Sequence, residues 1–251
     1  MTGEVRVIPL RGIAELREGD DLAALLADAA GRAGGFEPKD VLVVAQKAVS
    51  KVEGRIVELE GIEPSPRALE LAGESDARRI EVILRESREV LRTRPPLVIA
   101  ETRHGFVCAS AGVDSSNAPE PGTLVLLPLD PDASARGLRE RIRELTGVDV
   151  AVIVSDSFGR AWRQGTTDVA LGVSGLTPLL DLTGERDAVG YELHATQIAV
   201  ADEIAGAAEL VMGKTRGVPA AIVRGAAPAG EGSGQDLLMP RERDLFREPR
   251  G

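Results

Sequence analysis

The stretch that decides the fold lies between residues 149 and 165 and reads DVAVIVSDSFGRAWRQG. Its apolar run at 150–154 has no polar interruption, which is typical of a strand buried on both faces. A second such run, at 41–45, follows Asp40. Helical apolar spacing flanks both runs, so the chain alternates strands and helices. We therefore expect a mixed α/β fold, whose strand order the pattern leaves open.

The other elements follow from the same periodicity and from the turn residues between them. We predict strands at 5–9, 41–45, 97–100, 106–109, 123–127, 149–154 and 220–223. We predict helices at 22–32, 67–72, 76–86, 134–145 and 195–212. The residues from 226 onward are rich in Gly, Pro and charge, which predicts a loosely packed tail.

The composition narrows the possible functions. The chain has 251 residues, with 40 Asp and Glu against 30 Lys and Arg, and a formal net charge of -10. Nucleic acids and anionic membranes require a basic field, so we expect neither as a partner. Cys108 is the only cysteine, which excludes a disulfide framework within the chain. The sequence has no apolar run of membrane-spanning length and no signal-peptide pattern, so we expect a cytoplasmic protein.

Common catalytic signatures are absent from the sequence. It contains no G-x-x-x-x-G-K-[ST] phosphate loop, no G-x-G-x-x-G after the first strand and no G-x-S-x-G. Neither His104 nor His194 has a partner at metal-ligand spacing, and Cys108 follows an apolar strand residue. We expect both histidines to be surface or packing residues and the thiol to be buried and unreactive.

Polar residues follow three predicted strands at their C-terminal ends, where open α/β sheets bind ligands. After the strand at 41–45, Lys47 and Lys51 are spaced four apart and would share one face of a helix. A polyanion between the two ammonium groups would remove their repulsion, so we interpret the pair as a phosphate site. The alternative is a solvated basic turn.

The other two segments supply oxygen ligands. AGVDSSN at 111–117 places Asp114 and Asn117 among small residues, with a simple Asx turn as the alternative. SDSFGRAWRQG at 155–165 places Asp156 between two serines. Asp and Ser oxygens are the hard ligands that Mg²⁺ or Mn²⁺ uses while sharing phosphate oxygens. Asp114 and Asp156 are therefore candidates to hold one metal together.

The same segment continues with Arg160 and Arg163, spaced three apart. Guanidinium groups suit a bidentate grip on phosphate or carboxylate, so both are candidates for binding an anion. We interpret Trp162, which lies between them, as a packing anchor.

At these residues the chain resembles the coenzyme F420:L-glutamate ligases, also called F420-0:gamma-glutamyl ligases. The resemblance extends in family order from about residue 5 to residue 225. Its stretches are IPLRGI, GDDL, VVAQKAVSKVEGR, AGVDSSN, SDSFGRAWRQG, ATQIAVADEIAGAAELVMGK and GVPAAIVRG.

The resemblance implies a fold and an assembly. The family fold is an α/β arrangement of two lobes, usually in a homodimer with the nucleotide in a cleft at or near the dimer interface. We accordingly expect one ligase domain at 1–225. We also expect a C-terminal tail at 226–251, without the flavin-binding reductase-like domain that is fused in actinobacterial relatives.

The resemblance also implies an activity. Its members are GTP-dependent ligases that form an amide between L-glutamate and F420-0, the deazaflavin precursor, and can add further glutamates through γ-linkages. The expected small-molecule partners are thus F420-0, L-glutamate and GTP as co-substrate. The expected cofactors are Mg²⁺ or Mn²⁺, as two ions, and a monovalent cation.

By position, the resemblance assigns functional residues in this chain. The metal ligands would be Asp114, Asp156 and Ser157. The GTP contacts would be Ile13, Ala14, Glu15, Leu16, Gln46, Lys51 and Asn117, and secondarily Lys47, Met212, Gly213, Lys214 and Thr215. Ser157 stands where many members have Thr, which retains the hydroxyl. Lys214 stands where some archaeal members have a metal-binding oxygen, which leaves the coordination of the second metal open.

The mechanism that we infer transfers the γ-phosphoryl group of GTP to a carboxylate of the precursor. The glutamate amine then displaces phosphate from the acyl phosphate, with catalysis supplied mainly by positioning and charge neutralisation. Arg160 and Arg163 are candidate catalytic residues, for the developing phosphoryl charge or for the anionic acceptor. Asp202, Glu203 and Glu209 are candidates for a base.

Two alternatives remain open at this point. One is a different NTP- and metal-dependent carboxylate–amine ligase or kinase on the same scaffold. The other is a non-catalytic nucleotide-binding partner of a deazaflavin reductase, although such a module would not need metal-binding carboxylates.

Overall fold

A five-stranded mixed sheet forms the centre of the protein. The computed structural model describes residues 3–226, 228 and 230–247. The strands are β1 (Arg6–Leu10), β2 (Val41–Ala45), β3 (Ile56–Glu58), β4 (Ser87–Arg94), β5 (Leu97–Thr102), β6 (Val107–Ala109), β7 (Thr123–Val125), β8 (Ala151–Arg160), β9 (Arg163–Ser174), β10 (Leu180–Asp181), β11 (Gln197–Ile198) and β12 (Ala220–Arg224). The α-helices are α1 (Leu22–Arg32), α2 (Gln46–Val52), α3 (Pro66–Ala72), α4 (Ala77–Glu86), α5 (Pro131–Thr146) and α6 (Val200–Met212).

The central sheet has the strand order β1-β12-β2-β8-β9. β2 and β8 are parallel, and the other neighbours are antiparallel. Layers of helices cover both faces of the sheet, so the central strands read as unbroken apolar runs. Leu42 and Val44 pack with residues of α1 and α5, while Val41 and Val43 pack with α6. None of the helices in the described ranges has the length and apolarity that a membrane crossing requires.

A second hydrophobic cluster forms outside the central sheet. It gathers α3 and α4 against the β4-β5-β6 sheet and the β3-β7 ladder. Its large members include Leu71, Ile80, Ile83, Val98 and Leu124. This cluster and the two faces of the central sheet are the main hydrophobic contacts that hold the chain together.

The mixed α/β class is confirmed, but several elements differ from the prediction. β8 continues to Arg160 rather than ending at residue 154, because it pairs with β9, which was not predicted. The first half of β9 is exposed and consists of polar residues and a glycine. The apolar pattern therefore did not predict this strand. α6 starts at Val200 rather than at 195, because β11 takes up part of the predicted helix.

The expectation of a loosely packed tail is wrong for the described part of the tail. Glu101 on β5 is only 3% exposed, and its carboxylate accepts hydrogen bonds from Arg241 at 2.5 Å and from Arg247 at 2.7 Å. Burial alone would raise the pKa of Glu101, but Arg247, Arg241 and Arg88 outweigh it and lower the pKa. A buried carboxylate needs a positive partner, so Glu101 holds the C-terminal segment that carries Arg241 and Arg247 against the second hydrophobic cluster.

Asp40 joins the ends of two central strands and provides a test of the fold. It is fully buried, and its carboxylate accepts from Arg224 Nε at 2.8 Å and Nη2 at 2.9 Å. Asp40→Ala would remove the buried, bidentate partner of Arg224 and leave it only the exposed Glu37, so we expect the free energy of unfolding to fall by about 3–5 kcal/mol. Urea denaturation measures the loss. Glu70→Ala, which removes an exposed ion pair with Arg67, is the control and should cost less than about 1 kcal/mol. Equal losses in the two variants would contradict this role of Asp40.

Candidate functional site

A cavity of about 410 Å³ opens at the carboxyl ends of β2 and β8. Its volume lies in the usual range for small-molecule sites. The two strands are parallel, with Ala45 opposite Ser155, so the segments that follow them meet at one edge of the sheet. Of the residues predicted from the sequence, those that line the cavity are Ile13, Ala14, Glu15, Leu16, Gln46, Lys47, Lys51, Asn117, Asp156, Ser157, Glu209, Met212, Gly213, Lys214 and Thr215.

Lys47 and Lys51 enter the cavity from α2, as the four-residue spacing predicted. Lys51 is buried and forms an ion pair with Glu15. Lys47 Nζ lies 2.7 Å from the carboxylate of Asp114 and also donates to Ser116. The solvated basic turn, the alternative interpretation, is therefore wrong, because both ammonium groups are held in place by partners.

Ser157 lies opposite a third polar residue, Asp168 on β9, while Asp156, the neighbour of Ser157 on β8, lies opposite Val169. Ser157 Oγ donates to Asp168 Oδ1 at 2.5 Å, and Ser155 Oγ donates to Oδ2 at 2.9 Å. Asp156 itself forms no ion pair with any residue of the described ranges. Burial raises the pKa of Asp156 to about 6, and the charge of Asp168 acts in the same direction against the opposing effect of Lys47. A carboxylate in this position favours a bound cation.

Asp114 lies beside the cavity rather than in its lining. Its carboxylate accepts from the backbone N–H of Ser116 at 2.8 Å, so the Asx turn is present as well. Burial would raise the pKa of Asp114, but the hydrogen bonds from Lys47 and Ser116 outweigh it and lower the pKa. Because Lys47 also acts on Asp156, its ammonium group links the two predicted metal ligands electrostatically.

Gln46 lines the cavity with part of its side chain already engaged. Its Nε2 donates to Ser50 Oγ at 2.6 Å and to the Leu126 carbonyl at 2.8 Å. These bonds use both amide hydrogens, so the side chain offers a ligand only its Oε1.

The opposite wall comes from the end of α6 and the loop before β12. Of the three candidate bases, only Glu209 lines the cavity, and burial and the charge of Asp168 raise its pKa. Asp202 instead accepts from the Ala170 N–H at 2.8 Å, and Glu203 is exposed. Lys214 reaches the cavity and forms no ion pair within the part of the chain that the structure describes.

Arg160 and Arg163 lie at the exposed tip of the β8–β9 hairpin, outside the cavity lining. Trp162, between them, is 84% exposed. The interpretation of Trp162 as a packing anchor is therefore wrong, because the hairpin carries it away from both hydrophobic layers of the sheet.

The cavity also contains residues that sequence reasoning missed, chiefly Asp168 and Ser155. Asp168 is the only charged residue of the stretch TTDVALG, which matches no metal-binding or phosphate-binding motif. Only the pairing of β9 with β8 brings it opposite Ser157, so no local pattern could have found it.

The residues set aside in the sequence behave as expected. Burial raises the pKa of the Cys108 thiol to about 12, which keeps it protonated and unreactive. His104 Nε2 lies 2.9 Å from the Pro128 carbonyl, and the His194 ring packs against Tyr191. Neither histidine lines the cavity.

Together these features define a class of protein. An open α/β sheet carries, at the carboxyl ends of its parallel strands, a cavity with cationic lysines on one side and carboxylates and hydroxyls on the other. This is the arrangement of an α/β protein that binds a small anionic ligand.

The chain matches the sequence model of F420-0:gamma-glutamyl ligase over residues 12–225, and it belongs to this family. It is 47% identical to the coenzyme F420:L-glutamate ligase of Methanopyrus kandleri, over 97% of this chain and 98% of that protein. It is 45% identical to the protein of the same name from Methanothermobacter thermautotrophicus, over 97% and 99% respectively. The ligase of Archaeoglobus fulgidus is also 45% identical, over 97% of this chain and 96% of its own length. The resemblance noted in the sequence is thereby confirmed.

Proposed function

We propose that this chain is the ligase that joins L-glutamate to F420-0, and further glutamates by γ-linkage, with GTP as co-substrate. Family membership and the names of the relatives support a ligase of coenzyme F420 biosynthesis. GTP as the co-substrate is supported by one observation, which is that Lys47, Lys51 and Asp156 line the same cavity. Cations for a phosphate chain and an oxygen ligand for its metal are the parts that phosphoryl transfer requires.

In this proposal the phosphates of GTP lie against α2. The ammonium of Lys51 would exchange its partner Glu15 for a phosphate oxygen, and Lys47 would do the same with Asp114. Both exchanges replace one charge-assisted hydrogen bond by another, and they are favoured because a triphosphate carries more negative charge than a single carboxylate. Residues 212–215 would contact the nucleotide from the opposite wall.

The donor set fits Mg²⁺ or Mn²⁺. The described residues contain no group of three or more His, Cys, Asp or Glu that could hold a metal on their own. Mg²⁺ typically takes one or two carboxylates and completes its shell with water and phosphate oxygens, so Asp156, Ser157 and Asp114 suffice. A bound metal would neutralise phosphate charge in the transition state. The second divalent ion and the monovalent cation stay predictions from the resemblance.

The chemistry balances as two displacements. A carboxylate oxygen of F420-0 attacks the γ-phosphorus of GTP, and GDP leaves. The amine of L-glutamate then attacks the acyl carbon, phosphate leaves, and the amine gives up its proton. Glu209 lines the cavity with a raised pKa, which suits it to accept that proton.

Lys51→Ala tests the nucleotide site. Removing a buried ammonium that contacts phosphate should weaken GTP binding by about 1.5–3 kcal/mol, the usual cost of a lost charged hydrogen bond. Isothermal titration calorimetry measures the change. Lys39→Ala, which removes an exposed lysine outside the cavity, is the control and should bind GTP as the unchanged protein does. Unchanged GTP affinity in Lys51→Ala would give Lys51 a purely structural role.

The rival functions differ in what they consume. A ligase for F420-0 releases GDP and phosphate rapidly when F420-0 and L-glutamate are both present. With F420-0 alone the release is slow. Another ligase or a kinase would consume nucleotide with a different acceptor, and a binding module would consume none. Assaying GDP release with each acceptor omitted separates the three. We further propose that the ligase acts as a homodimer in the cytoplasm.

A further inference from the structure

The tip of the β8–β9 hairpin presents an aromatic surface to solvent. Arg160 and Arg163 are register partners that close the hairpin, and Trp162 lies between them. Phe246, from the C-terminal segment, packs against the indole with ring centroids 4.9 Å apart and the rings tilted by 44°. Phe246 is itself 63% exposed. We call these four residues, Arg160, Trp162, Arg163 and Phe246, the hairpin site.

The hairpin site is not explained by the stability of the fold. Trp162 is the only tryptophan of the chain, yet its exposed indole gains little from the hydrophobic effect. Its φ of 56° lies in the left-handed region, where glycine is favoured and a bulky aromatic residue is strained. A residue that is both exposed and strained indicates a function at that position.

The aromatic pair is held in place from the side of Phe246. The Phe246 N–H donates to Asp244 at 2.9 Å, and its carbonyl accepts from Arg92 at 3.3 Å. The next residue, Arg247, donates to the buried Glu101 at 2.7 Å. The C-terminal segment therefore presents Phe246 on a fixed support.

The arginines of the hairpin site are free to bind an anion. Arg160 and Arg163 are exposed, and the guanidinium group of neither forms a hydrogen bond or an ion pair with any residue from 3 to 247 that the structure describes. They place two positive charges at one hairpin tip of a chain whose net charge is -10. An exposed aromatic face on the same hairpin tip as two exposed arginines is complementary to a planar aromatic ring that carries an anionic group.

The hairpin site is connected to the cavity by the strands themselves. Ser157 and Asp168 are register partners in the cavity lining, and Arg160 lies three residues beyond Ser157 on β8. At roughly 3.3 Å per strand residue, the tip is about 10 Å from the lining. A ligand of that length would reach from the hairpin site to the cavity.

We propose that the hairpin site binds the aromatic end of the acceptor substrate, a planar aromatic anion. This inference rests on the proposed function, under which the acceptor is F420-0. The deazaflavin ring then stacks on Trp162, Arg160 and Arg163 bind its anionic group, and the acceptor carboxylate enters the cavity. The hairpin tip thus holds the acceptor, while the cavity holds the nucleotide.

The test measures acceptor binding to purified full-length variants by calorimetry, with F420-0 and with uncharged 5-deazariboflavin as probes. Trp162→Ala should weaken binding of both probes by about tenfold or more, and Trp162→Phe should restore most of the loss. Arg160→Gln and Arg163→Gln should each weaken F420-0 binding about tenfold and leave 5-deazariboflavin unchanged. Trp162→Ala and the two arginine variants should raise the KM for F420-0, Trp162→Phe should raise it much less, and all four should leave the KM for GTP unchanged.

Matched controls come from exposed residues elsewhere. Leu69→Ala on α3 and Arg136→Gln on α5 remove an exposed apolar and an exposed basic side chain, and both should bind the two probes normally. Because Trp162 is the only tryptophan, bound F420-0 should also protect the protein's tryptophan fluorescence from acrylamide quenching.

The outcomes separate this proposal from the proposed function. Ligation with unchanged F420-0 affinity and KM in the Trp162 and arginine variants would overturn the hairpin site and leave the function intact. The same unchanged affinity with a loss of dimer in Trp162→Ala would make the tip an interface between copies, which also overturns it. Weakened F420-0 binding in the variants of a protein that forms no glutamyl product would support the site and refute the function. Failure of the unchanged protein to bind F420-0 would overturn the site.

Discussion

We expect Asp156→Asn to lower kcat by at least about a hundredfold and, at pH 8 without metal or nucleotide, to raise the melting temperature. The loss of activity follows because the amide cannot supply the negative charge that a metal at the phosphates needs. The gain in stability follows from burial, which raises the pKa of Asp156 to about 6. Above that pH the buried carboxylate of Asp156 is ionised in the folded protein, which lowers the free energy of unfolding. Asparagine is uncharged and removes this loss.

The pH dependence fixes the sign of the stability effect. The unfolded carboxyl group titrates near its ordinary pKa of 3.8, and the folded group titrates near 6. Below about pH 4 both states are protonated, so Asp156→Asn and the unchanged protein should melt alike. The difference should grow from pH 4 to 6 and then stay constant.

Asp28→Asn is the control for this experiment. Asp28 is an exposed carboxylate on α1, paired with Arg32 and outside the cavity. Its variant should retain kcat and show no gain in stability at pH 8. Near-normal turnover of Asp156→Asn at saturating Mn²⁺ would contradict the assignment of Asp156 as a metal ligand.

Asp168→Asn should reduce apparent Mn²⁺ affinity and activity by about tenfold to a hundredfold, although Asp168 is not expected to touch the metal. Its carboxylate accepts the Ser157 hydroxyl at 2.5 Å, which occupies the hydroxyl hydrogen and leaves the oxygen of this lining residue free to accept a cation. Residues that orient a metal ligand typically contribute effects of this size. Mn²⁺ titration followed by electron paramagnetic resonance, in the presence of GDP, measures affinity independently of turnover.

The partner hydroxyl supplies the control for Asp168. Ser155→Ala removes the other hydrogen bond to Asp168 and leaves the contact with Ser157 intact. We expect Mn²⁺ affinity close to that of the unchanged protein. Equal losses of Mn²⁺ affinity in Ser155→Ala and Asp168→Asn would show that Asp168 only stabilises the strand pair.

The site residues that come directly after a buried strand in the sequence could be predicted. The apolar runs predicted β2 and β8, and the polar residues after them, such as Lys51 and Asp156, do line one cavity. Parallel strands end at the same edge of a sheet, so this convergence is set by topology alone. The loop at 13–16 and the segment at 212–215 could be assigned only through the resemblance, because neither carries a chemical motif of its own.

The rest depended on long-range pairing. Asp168 joins the site through the register of β9 with β8, and β9 has an exposed polar half that conceals its periodicity. Trp162 was misplaced for the same reason, since an unrecognised hairpin carries it into solvent. The C-terminal segment was judged by its composition, but the buried Glu101 supplies the partner that orders its arginines.

Mass spectrometry of the product shows directly whether the protein is a GTP-dependent glutamate ligase. The purified protein is incubated with F420-0, L-glutamate, GTP and Mn²⁺, and released GDP is measured in parallel. We expect F420-0 to be extended by one or more glutamyl residues, with one GDP and one phosphate released for each glutamate added. We expect no extension when GTP is omitted. Unextended F420-0 in the complete mixture, or extension that proceeds without GTP, would contradict the proposed function.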